Sequence, residues 1–457
     1  MNKPREYLGI LLQTFLMLML GNIGFVLRGV QTDAFSVLLP LILGIDWLLL
    51  IVLPGRRVSG SAKLGLLSKG LRLIRIHRLS TAAEIVLAIV LTVRRLREGD
   101  WPSWFDSWAL AVTIVVFVVA QLGILTSGAL RILVTARQVK IGHYIALFFF
   151  WWMPVVNLFL IGQILRTARR ELYFEAAVLE RDAVRQESEV CKTKYPILMV
   201  HGIFFRDWQL MNYWGRIPAE LQKNGAQIFY GGQQSAQSVA KSAQELHERI
   251  TQVLAETGAE KVNIIAHSKG GLDSRYAIGL LGDDMRVASL TTINSPHHGC
   301  AWAQNALEKI PASVQEWIAR RYESIFSILG DTAPAFLEGV RDLTPEACKR
   351  LNSLCPLPRQ IPVHCVMSEM NHINSAPFPL WVSYLAMKLY DRNVRGDGLV
   401  PIESAKLDGA VFTMVPKTKY RGISHGDMID LSRENIRGFD VREFYVHLVQ
   451  DLKKQGL

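Results

Sequence analysis

Apolar residues are distributed unevenly and divide the chain into two unlike parts. In the first part, four runs are apolar over a length that can cross a bilayer, at residues 8–27, 35–53, 108–130 and 145–165. The stretch "LFFFWWMPVVNLFLIGQIL" has apolar residues on every side of a helix, whereas a core helix of a soluble protein keeps a polar face. No small-residue cleavage site follows the first run, so we expect it to persist. The pattern predicts a membrane region over residues 1–165.

A shorter apolar run at residues 82–93 leaves the number of membrane helices open at four or five. It is shorter than the roughly 17 to 25 residues of a usual span, and it contains Glu84 near its start. Such a run predicts either a short span or a helix that lies in the interface.

The formal net charge of +11 comes from the first part of the chain. Residues 1–170 hold 19 Lys and Arg against 7 Asp and Glu, whereas the remainder holds 32 against 33. Basic residues interspersed among apolar runs are typical of membrane topology, and we therefore expect no nucleic-acid partner. Asp46, inside the second run, would suit a transporter pathway, but a single carboxylate is more simply explained by a partner on a neighbouring helix.

The basic residues also predict which loops face the cytoplasm. The densest cluster comprises Arg56, Arg57, Lys63, Lys69, Arg72, Arg75 and Arg78. Such a cluster is expected to stay inside, together with the amino terminus. Four spans would then place the following residues in the cytoplasm and five would place them outside. Arg166, Arg169 and Arg170, beside the last run, favour the cytoplasm.

After the last run, the pattern changes to that of an α/β domain. Residues 166–190 are charged and free of glycine, which predicts a helical linker. Over residues 191–457, strand-like and helix-like segments alternate, as in a mostly parallel sheet with helices on both faces. The predicted strands are "PILMVHG", "AQIFYGG", "KVNIIAH", "VASLTTIN", "IPVHCVM" and "AVFTMV", and the predicted helices include residues 240–256, 270–281 and 440–454. Five cysteines without CxxC spacing indicate core thiols rather than a disulfide framework or a zinc site.

The segment "VNIIAHSKGGLDSRY" predicts a nucleophile at Ser268. A strand ending near Ala266, a serine and a helix from Gly270 form the strand, sharp turn and helix of a nucleophile elbow. Small residues on both sides of the serine allow the turn to close. The turn also leaves the Lys269 amide at a helix start, where it can stabilise a developing oxyanion. A glycine-rich helix entry without catalytic function is the alternative.

A serine nucleophile needs a base and an acid. In α/β hydrolases both follow the serine, and the downstream histidines are His372, His425 and His447. His425 occupies a glycine-flanked loop after the last predicted strand, whereas His447 falls in the terminal helix and few suitable acids precede His372. For the acid, "NVRGDGLVP" places Asp397 between two glycines, ahead of its rivals Asp391 and Asp408. The predicted triad is Ser268, Asp397 and His425.

The second oxyanion amide is expected at the end of the first strand. In "PILMVHGIFFRDW", His201 and Gly202 end the strand, and the amide of Ile203 is expected to face Ser268. A metal site formed by His201 with His297 and His298 is the alternative. It lacks a carboxylate or cysteine at metal-ligand spacing, so we expect no metal.

These motifs resemble the bacterial lipases and esterases of the α/β-hydrolase family. The resemblance covers residues 195–457 and rests on "VHGI", "AHSKGGLDSRY", "TTINSPHHG", "DGLVP" and "SHGD", which occur in the family's order. It implies supporting roles for His201, Gly202, His267, Gly270, His297 and Gly299. Lys269 departs from the family, whose secreted members usually carry histidine, glutamine or methionine there. Some relatives bind a structural calcium at the position of Asp427, but no second carboxylate ligand is evident here.

The resemblance implies an esterase or lipase without a cofactor. The predicted spans attach the protein to a membrane, which we expect to be a bacterial cytoplasmic membrane. A lipid ester is therefore the expected substrate. An acyltransferase or thioesterase would use the same triad, and a non-catalytic lipid- or partner-binding module is a further alternative. Residues 301–339 have amphipathic spacing that suits either a lid or a packing helix. The sequence leaves the acyl group and the oligomeric state open.

Overall fold

A computed structural model of the protein describes residues 3–28, 33–99, 108–150, 152–185, 188–203, 212–234, 236–328, 334–356, 358–376 and 378–457. The chain forms two compact parts, Met1–Ala183 and Val184–Leu457. The division between them falls inside the predicted linker of residues 166–190, which is helical as far as Arg185.

The N-terminal part consists of helices. They are α1 (Lys3–Gly21), α2 (Ile23–Arg28), α3 (Asp33–Val52), α4 (Ala62–Glu98), α5 (Trp108–Thr135), α6 (Ile141–Phe149) and α7 (Pro154–Arg185). Among the described residues, α4 and α5 are long and apolar enough to cross a membrane, and residues 36–52 of α3 form a shorter apolar helix.

Three apolar runs differ from the sequence-based prediction. The run at residues 8–27 is divided between α1, which ends at Gly21, and α2, which begins at Ile23. The run at residues 145–165 is not one continuous helix, because α6 ends at Phe149 and α7 begins at Pro154. Proline lacks an amide hydrogen and is favoured in the first turn of a helix, so a new helix begins there. The run at residues 82–93 is not a separate short helix either, since it lies within α4, which has 37 residues.

Polar side chains inside the N-terminal part bond to each other between helices. The Asn22 side chain donates to Glu84 at 2.7 Å, and Gln13 donates to Asp46 at 3.4 Å. Asp46 thus has the neighbouring-helix partner that the sequence suggested. Such pairing lowers the cost of placing polar groups in an apolar environment.

The C-terminal part is built on a parallel sheet of six strands, β1 (Ile197–Val200), β2 (Ile228–Tyr230), β3 (Val262–His267), β4 (Val287–Ile293), β5 (Val363–Met367) and β6 (Val411–Met414). Their spatial order is β2-β1-β3-β4-β5-β6, and every neighbouring pair is parallel. All six predicted strands are therefore confirmed. Because the strands are parallel, their carboxyl ends share one edge of the sheet, where loops can meet.

Helices cover both faces of this sheet. They are α8 (Ile217–Lys223), α9 (Val239–Thr257), α10 (Lys269–Leu280), α11 (Ala301–Lys309), α12 (Ala312–Ile328), α13 (Phe336–Arg341), α14 (Pro345–Leu354), α15 (Phe378–Tyr390) and α16 (Val441–Lys454). The predicted helices at residues 240–256, 270–281 and 440–454 correspond to α9, α10 and α16.

The core of the C-terminal part has two layers, and side chains of β1 alternate between them. Ile197 and Met199 pack against α8 and α16, whereas Leu198 and Val200 pack against α9 and α10. This alternation follows from the two-residue period of a strand. All five cysteines are buried and unpaired, as expected for core thiols.

Candidate active site

Ser268 sits in a strained turn between β3 and α10. Its backbone φ is +56°, a positive value that residues other than glycine rarely adopt. Ser268 directly precedes the first residue of α10. A Cβ at Gly270 would lie 2.5 Å from the His201 carbonyl oxygen, so a larger residue would clash there. The strand, turn and helix thus have the form of a nucleophile elbow, with the Lys269 amide at the helix start.

His425 and Asp397 form a buried pair. The Nδ1 atom of His425 lies 2.6 Å from Oδ2 of Asp397, and the other carboxylate oxygen accepts hydrogen bonds from the amides of Leu399 and Val400 at 2.9 and 2.7 Å. The backbone amide of His425 also donates to the Asp397 carbonyl at 2.9 Å. A carboxylate held in this way can orient the imidazole and stabilise its charged form.

Glu369, just after β5, ties the acid loop to the base loop. Its side chain pairs with Arg395, near Asp397, and with Lys417, near the start of the His425 loop, at 2.6 and 2.9 Å. Its carbonyl accepts the amide of Ile423. The Arg395 guanidinium and the Lys417 ammonium hold the pKa of Glu369 below its ordinary value. This carboxylate therefore stays ionised and positions both loops.

The three predicted triad residues converge on one edge of the sheet. The imidazole of His425 packs on that of His267, the residue before Ser268, with ring centroids 4.4 Å apart. The three residues are nearly inaccessible, with 2%, 7% and 0% of Ser268, His425 and Asp397 exposed. Burial, with the nearby His425, holds the pKa of His267 well below its ordinary value. His267 therefore stays neutral and adds no charge beside His425.

The end of β1 lies against the serine, as predicted for an oxyanion loop. A Cβ at Gly202 would lie 2.8 Å from Cβ of Ser268, so only glycine allows this approach. Ile203, whose amide is the proposed second donor, is buried. The rest of the quoted loop, residues 204–208, lies outside the described residues.

Lys269 does not face solvent or a ligand. Its Nζ donates to Asp273 at 2.8 Å and to the Ser242 hydroxyl at 2.9 Å, and both Lys269 and Asp273 are buried. The pair joins the first turn of α10 to α9. Burial raises the pKa of Asp273 to about 7, opposed by the Lys269 ammonium and increased by Asp342 and Glu245. At the position where it departs from secreted lipases, the chain thus has a buried Lys269–Asp273 contact, which becomes an ion pair when Asp273 loses its proton.

This raised pKa predicts a pH-dependent stability. The folded chain keeps a proton on Asp273 that an unfolded aspartate, with a pKa of about 3.9, has released. The resulting stabilisation is complete below about pH 4 and is lost as the pH rises through about 7. The Asp273→Asn variant lacks this titration. Between about pH 4 and 7, we expect its free energy of unfolding to fall with rising pH less steeply than that of the wild type, by up to about 1 kcal/mol per pH unit. Thermal denaturation in detergent from pH 4 to 8 measures this, with exposed Asp408→Asn as control. Equal slopes in Asp273→Asn and the wild type would contradict it.

His201 and His297 have structural contacts. His201 lies between two carbonyl oxygens, those of Gly202 and Gln233, at 2.9 and 2.8 Å. His297 is buried, its Nε2 lies 3.0 Å from the Thr292 hydroxyl, and burial lowers its pKa well below the ordinary value. Gly299 has φ of +75°, and a Cβ there would meet α14 at Pro345.

No group of three or more His, Cys, Asp and Glu side chains within the described ranges is arranged to hold a metal ion. At Asp427, the position suggested for calcium, both carboxylate oxygens accept hydrogen bonds from Arg421, and one also accepts from the Ser424 amide and hydroxyl. A carboxylate neutralised by a guanidinium does not fit a calcium ligand. Calcium binding at Asp427 therefore stays a prediction that the contacts of this carboxylate do not support.

Several residues around the site were not predicted from the sequence. The Tyr213 hydroxyl accepts the Gly202 amide at 3.0 Å and lies 2.7 Å from Nδ1 of His267, so it joins the oxyanion strand to the elbow. No motif marks Tyr213. The spacing of Lys269 and Asp273, four apart in a helix, was a signal that could have revealed their pairing. The rejected histidines lie elsewhere: His447 pairs with Glu443 in α16, and His372 lies beside Ser375.

Parts of the chain are similar to known proteins. The palmitoyl protein thioesterase family matches residues 196–329. A triacylglycerol lipase of Pseudarthrobacter phenanthrenivorans is 36% identical over 145 residues, which are 30% of this chain and 45% of that protein. A triacylglycerol lipase of Vibrio cholerae is 38% identical over 130 residues, or 28% of this chain and 41% of that protein. The crystal structure of Staphylococcus hyicus lipase, 16% identical, aligns with 58% of this chain and 97% of its own, with a TM-score of 0.44.

The parallel sheet and the elbow at Ser268 give the C-terminal part an α/β-hydrolase fold, and part of its sequence is similar to triacylglycerol lipases. The chain spans less than half the length of the curated relatives it matches.

Proposed function

We propose that the protein is a membrane-anchored serine hydrolase that cleaves carboxylic esters of lipids through Ser268, His425 and Asp397. The observation that carries this proposal is the His425–Asp397 pair, 2.6 Å long and buried, which packs against the elbow of Ser268. A base oriented by a carboxylate, next to a serine in an elbow, supports nucleophilic catalysis.

In the proposed mechanism, Nε2 of His425 takes the proton of the Ser268 hydroxyl while Oγ attacks the ester carbonyl carbon. Asp397 stabilises the resulting imidazolium. The amides of Ile203 and Lys269 donate to the oxyanion until the C–O bond breaks and His425 protonates the leaving alcohol. Water, deprotonated by His425, then attacks the acyl-enzyme, which releases the acid and restores Ser268.

Two observations support a lipid substrate at a membrane. The matched relatives are named triacylglycerol lipases. In addition, helices of the N-terminal part expose many large apolar side chains, such as Leu8, Val37, Ile42, Val86, Ile89, Val115 and Val134. Exposed apolar surface of this extent is favourable in lipid and unfavourable in water. We infer that these helices hold the hydrolase at a membrane.

A thioesterase is the second candidate, because the palmitoyl protein thioesterase match covers Ser268. Thioester and oxyester cleavage use the same attack on a carbonyl, and the leaving group differs. Acyl transfer to an alcohol would use the same acyl-enzyme.

Labelling of the purified full chain with a fluorophosphonate probe tests the proposal. We expect covalent modification of the tryptic peptide that contains Ser268, together with hydrolysis of an oxyester and a thioester of the same acyl chain. A higher kcat/KM for the thioester would favour the second candidate. Folded protein that stays unlabelled and cleaves neither substrate would instead indicate a binding module.

A further inference from the structure

Helix α15, between β5 and the acid loop, turns an apolar stripe outward. Val382, Leu385 and Leu389 are exposed by 64%, 49% and 87%, and they are spaced so that they share one face of the helix. The opposite face is buried through Ser383 and Met387. A surface helix normally has polar residues outside and apolar residues inside, whereas α15 is apolar on its exposed face as well. Burial of such side chains away from water is favourable, which favours a partner over this face.

The stripe lies beside the proposed active site. Helix α15 precedes Asp397 in the chain, and Cδ1 of its Leu380 is 3.5 Å from the place that a Cβ on Gly426 would occupy. Gly426 directly follows His425. Met285, which is also exposed, precedes β4 and is therefore near the amino edge of the sheet, opposite the triad. The outward apolar surface of α15 thus adjoins the edge at which substrate reacts.

Charge and aromatic residues around the stripe indicate a lipid surface as its partner. Near the end of the stripe, Lys388 and Arg392 outnumber the one acidic residue, Asp391, whereas Arg395 is paired with Glu369. Lys388 donates to the carbonyls of Arg392 and Val394 at the end of α15, which fixes positive charge next to Leu389. Helix α15 also contains Trp381, Tyr384 and Tyr390, and Tyr390 is exposed. Apolar residues flanked by aromatic rings and basic groups are typical of helices that lie in an interface with anionic headgroups.

We propose that α15 docks on the membrane, with Val382, Leu385 and Leu389 inserted below the headgroups. The docking itself follows from the exposed stripe and the adjacent charges. Its purpose rests on the proposed function, since a bilayer contact at this edge would let a lipid ester pass from the membrane to Ser268 without crossing water.

Fluorescence of a probe at residue 389 tests the docking. The five native cysteines are buried, so a thiol-reactive, polarity-sensitive dye such as NBD should label Leu389→Cys selectively. The labelled full chain is reconstituted in vesicles of phosphatidylcholine and phosphatidylglycerol, and Met285→Cys is the matched control. We expect blue-shifted emission at residue 389 that is quenched by lipids with a nitroxide on the acyl chain, and neither effect at residue 285.

Two results would overturn the proposal. One is emission at residue 389 that matches that of residue 285 and is insensitive to nitroxide lipids. The other is a blue shift that nitroxide lipids do not quench and that disappears on diluting the protein into more lipid, which would show that a second copy covers the stripe.

A functional comparison separates docking from catalysis. In Leu389→Asp, we expect about tenfold slower hydrolysis of a long-chain ester in the bilayer, because the variant loses an apolar anchor and places a charge in the interface, which weakens docking of the helix. The rate on a water-soluble short-chain ester, and the labelling of Ser268 by a soluble fluorophosphonate, should stay within twofold of the wild type. If Ser268 were never labelled, the proposed function would fail, while nitroxide quenching would still report on α15.

Discussion

Replacement of Ser268 by alanine is expected to lower kcat for ester hydrolysis by roughly a millionfold, because the serine, base and acid act as a unit and no other group can form the acyl-enzyme. The side chain is small and alanine fits the same turn, so the fold should be retained. Steady-state hydrolysis by the full chain in detergent, together with loss of fluorophosphonate labelling, measures the effect.

A nearby serine provides the control for that result. Ser295 is also buried and lies close to the elbow, where a Cβ at Gly271 would clash with its hydroxyl. Ser295→Ala makes the same chemical change without removing the proposed nucleophile, and we expect its kcat to stay within a few-fold of the wild type. Equal activity in Ser268→Ala and the wild type would rule out the acyl-enzyme mechanism.

Asp397→Asn is expected to lower kcat by roughly 10⁴-fold while leaving the loop intact. The asparagine oxygen can still accept the amides of Leu399 and Val400, so its nitrogen is left to face Nδ1 of His425. An amide that donates to Nδ1 favours the tautomer with the proton on Nε2. Imidazole in that tautomer cannot take the proton of Ser268.

The rival aspartates are matched controls. Asp391 and Asp408 are exposed, so Asp391→Asn and Asp408→Asn should change kcat less than twofold. Rates and thermal denaturation midpoints of the three variants separate a catalytic effect from an effect on folding. A loss in Asp408→Asn as large as that in Asp397→Asn would contradict the assignment of the acid.

The sheet was predictable because its strands are short apolar runs with helices between them. In "KVNIIAH" and "VASLTTIN", burial on both faces demands apolar or small side chains at nearly every position, and such runs stand out. The placement of Ser268, Asp397 and His425 followed from turn chemistry, since glycines and small residues mark the loops after three different strands.

What the sequence did not reveal depends on contacts between distant residues. Apolarity alone could not show that the run at residues 145–165 is divided, because apolar residues continue on both sides of the division between Phe149 and Pro154. Nor could it place Tyr213, whose partners Gly202 and His267 lie on two other segments. The environment of Lys269 was open for the same reason, since Ser242 comes from another helix.

The order of the three loops along the chain affects how the protein is made. The ribosome synthesises the strand and turn of Ser268 first, then the segment with Asp397, and His425 only afterwards, on the loop that follows the edge strand β6. At roughly 5 to 20 residues per second, the nascent chain carries its serine for on the order of ten seconds before the base exists. Under the proposed mechanism, the elbow is therefore inert during translation, and hydrolysis can begin only after the last strand has joined the sheet.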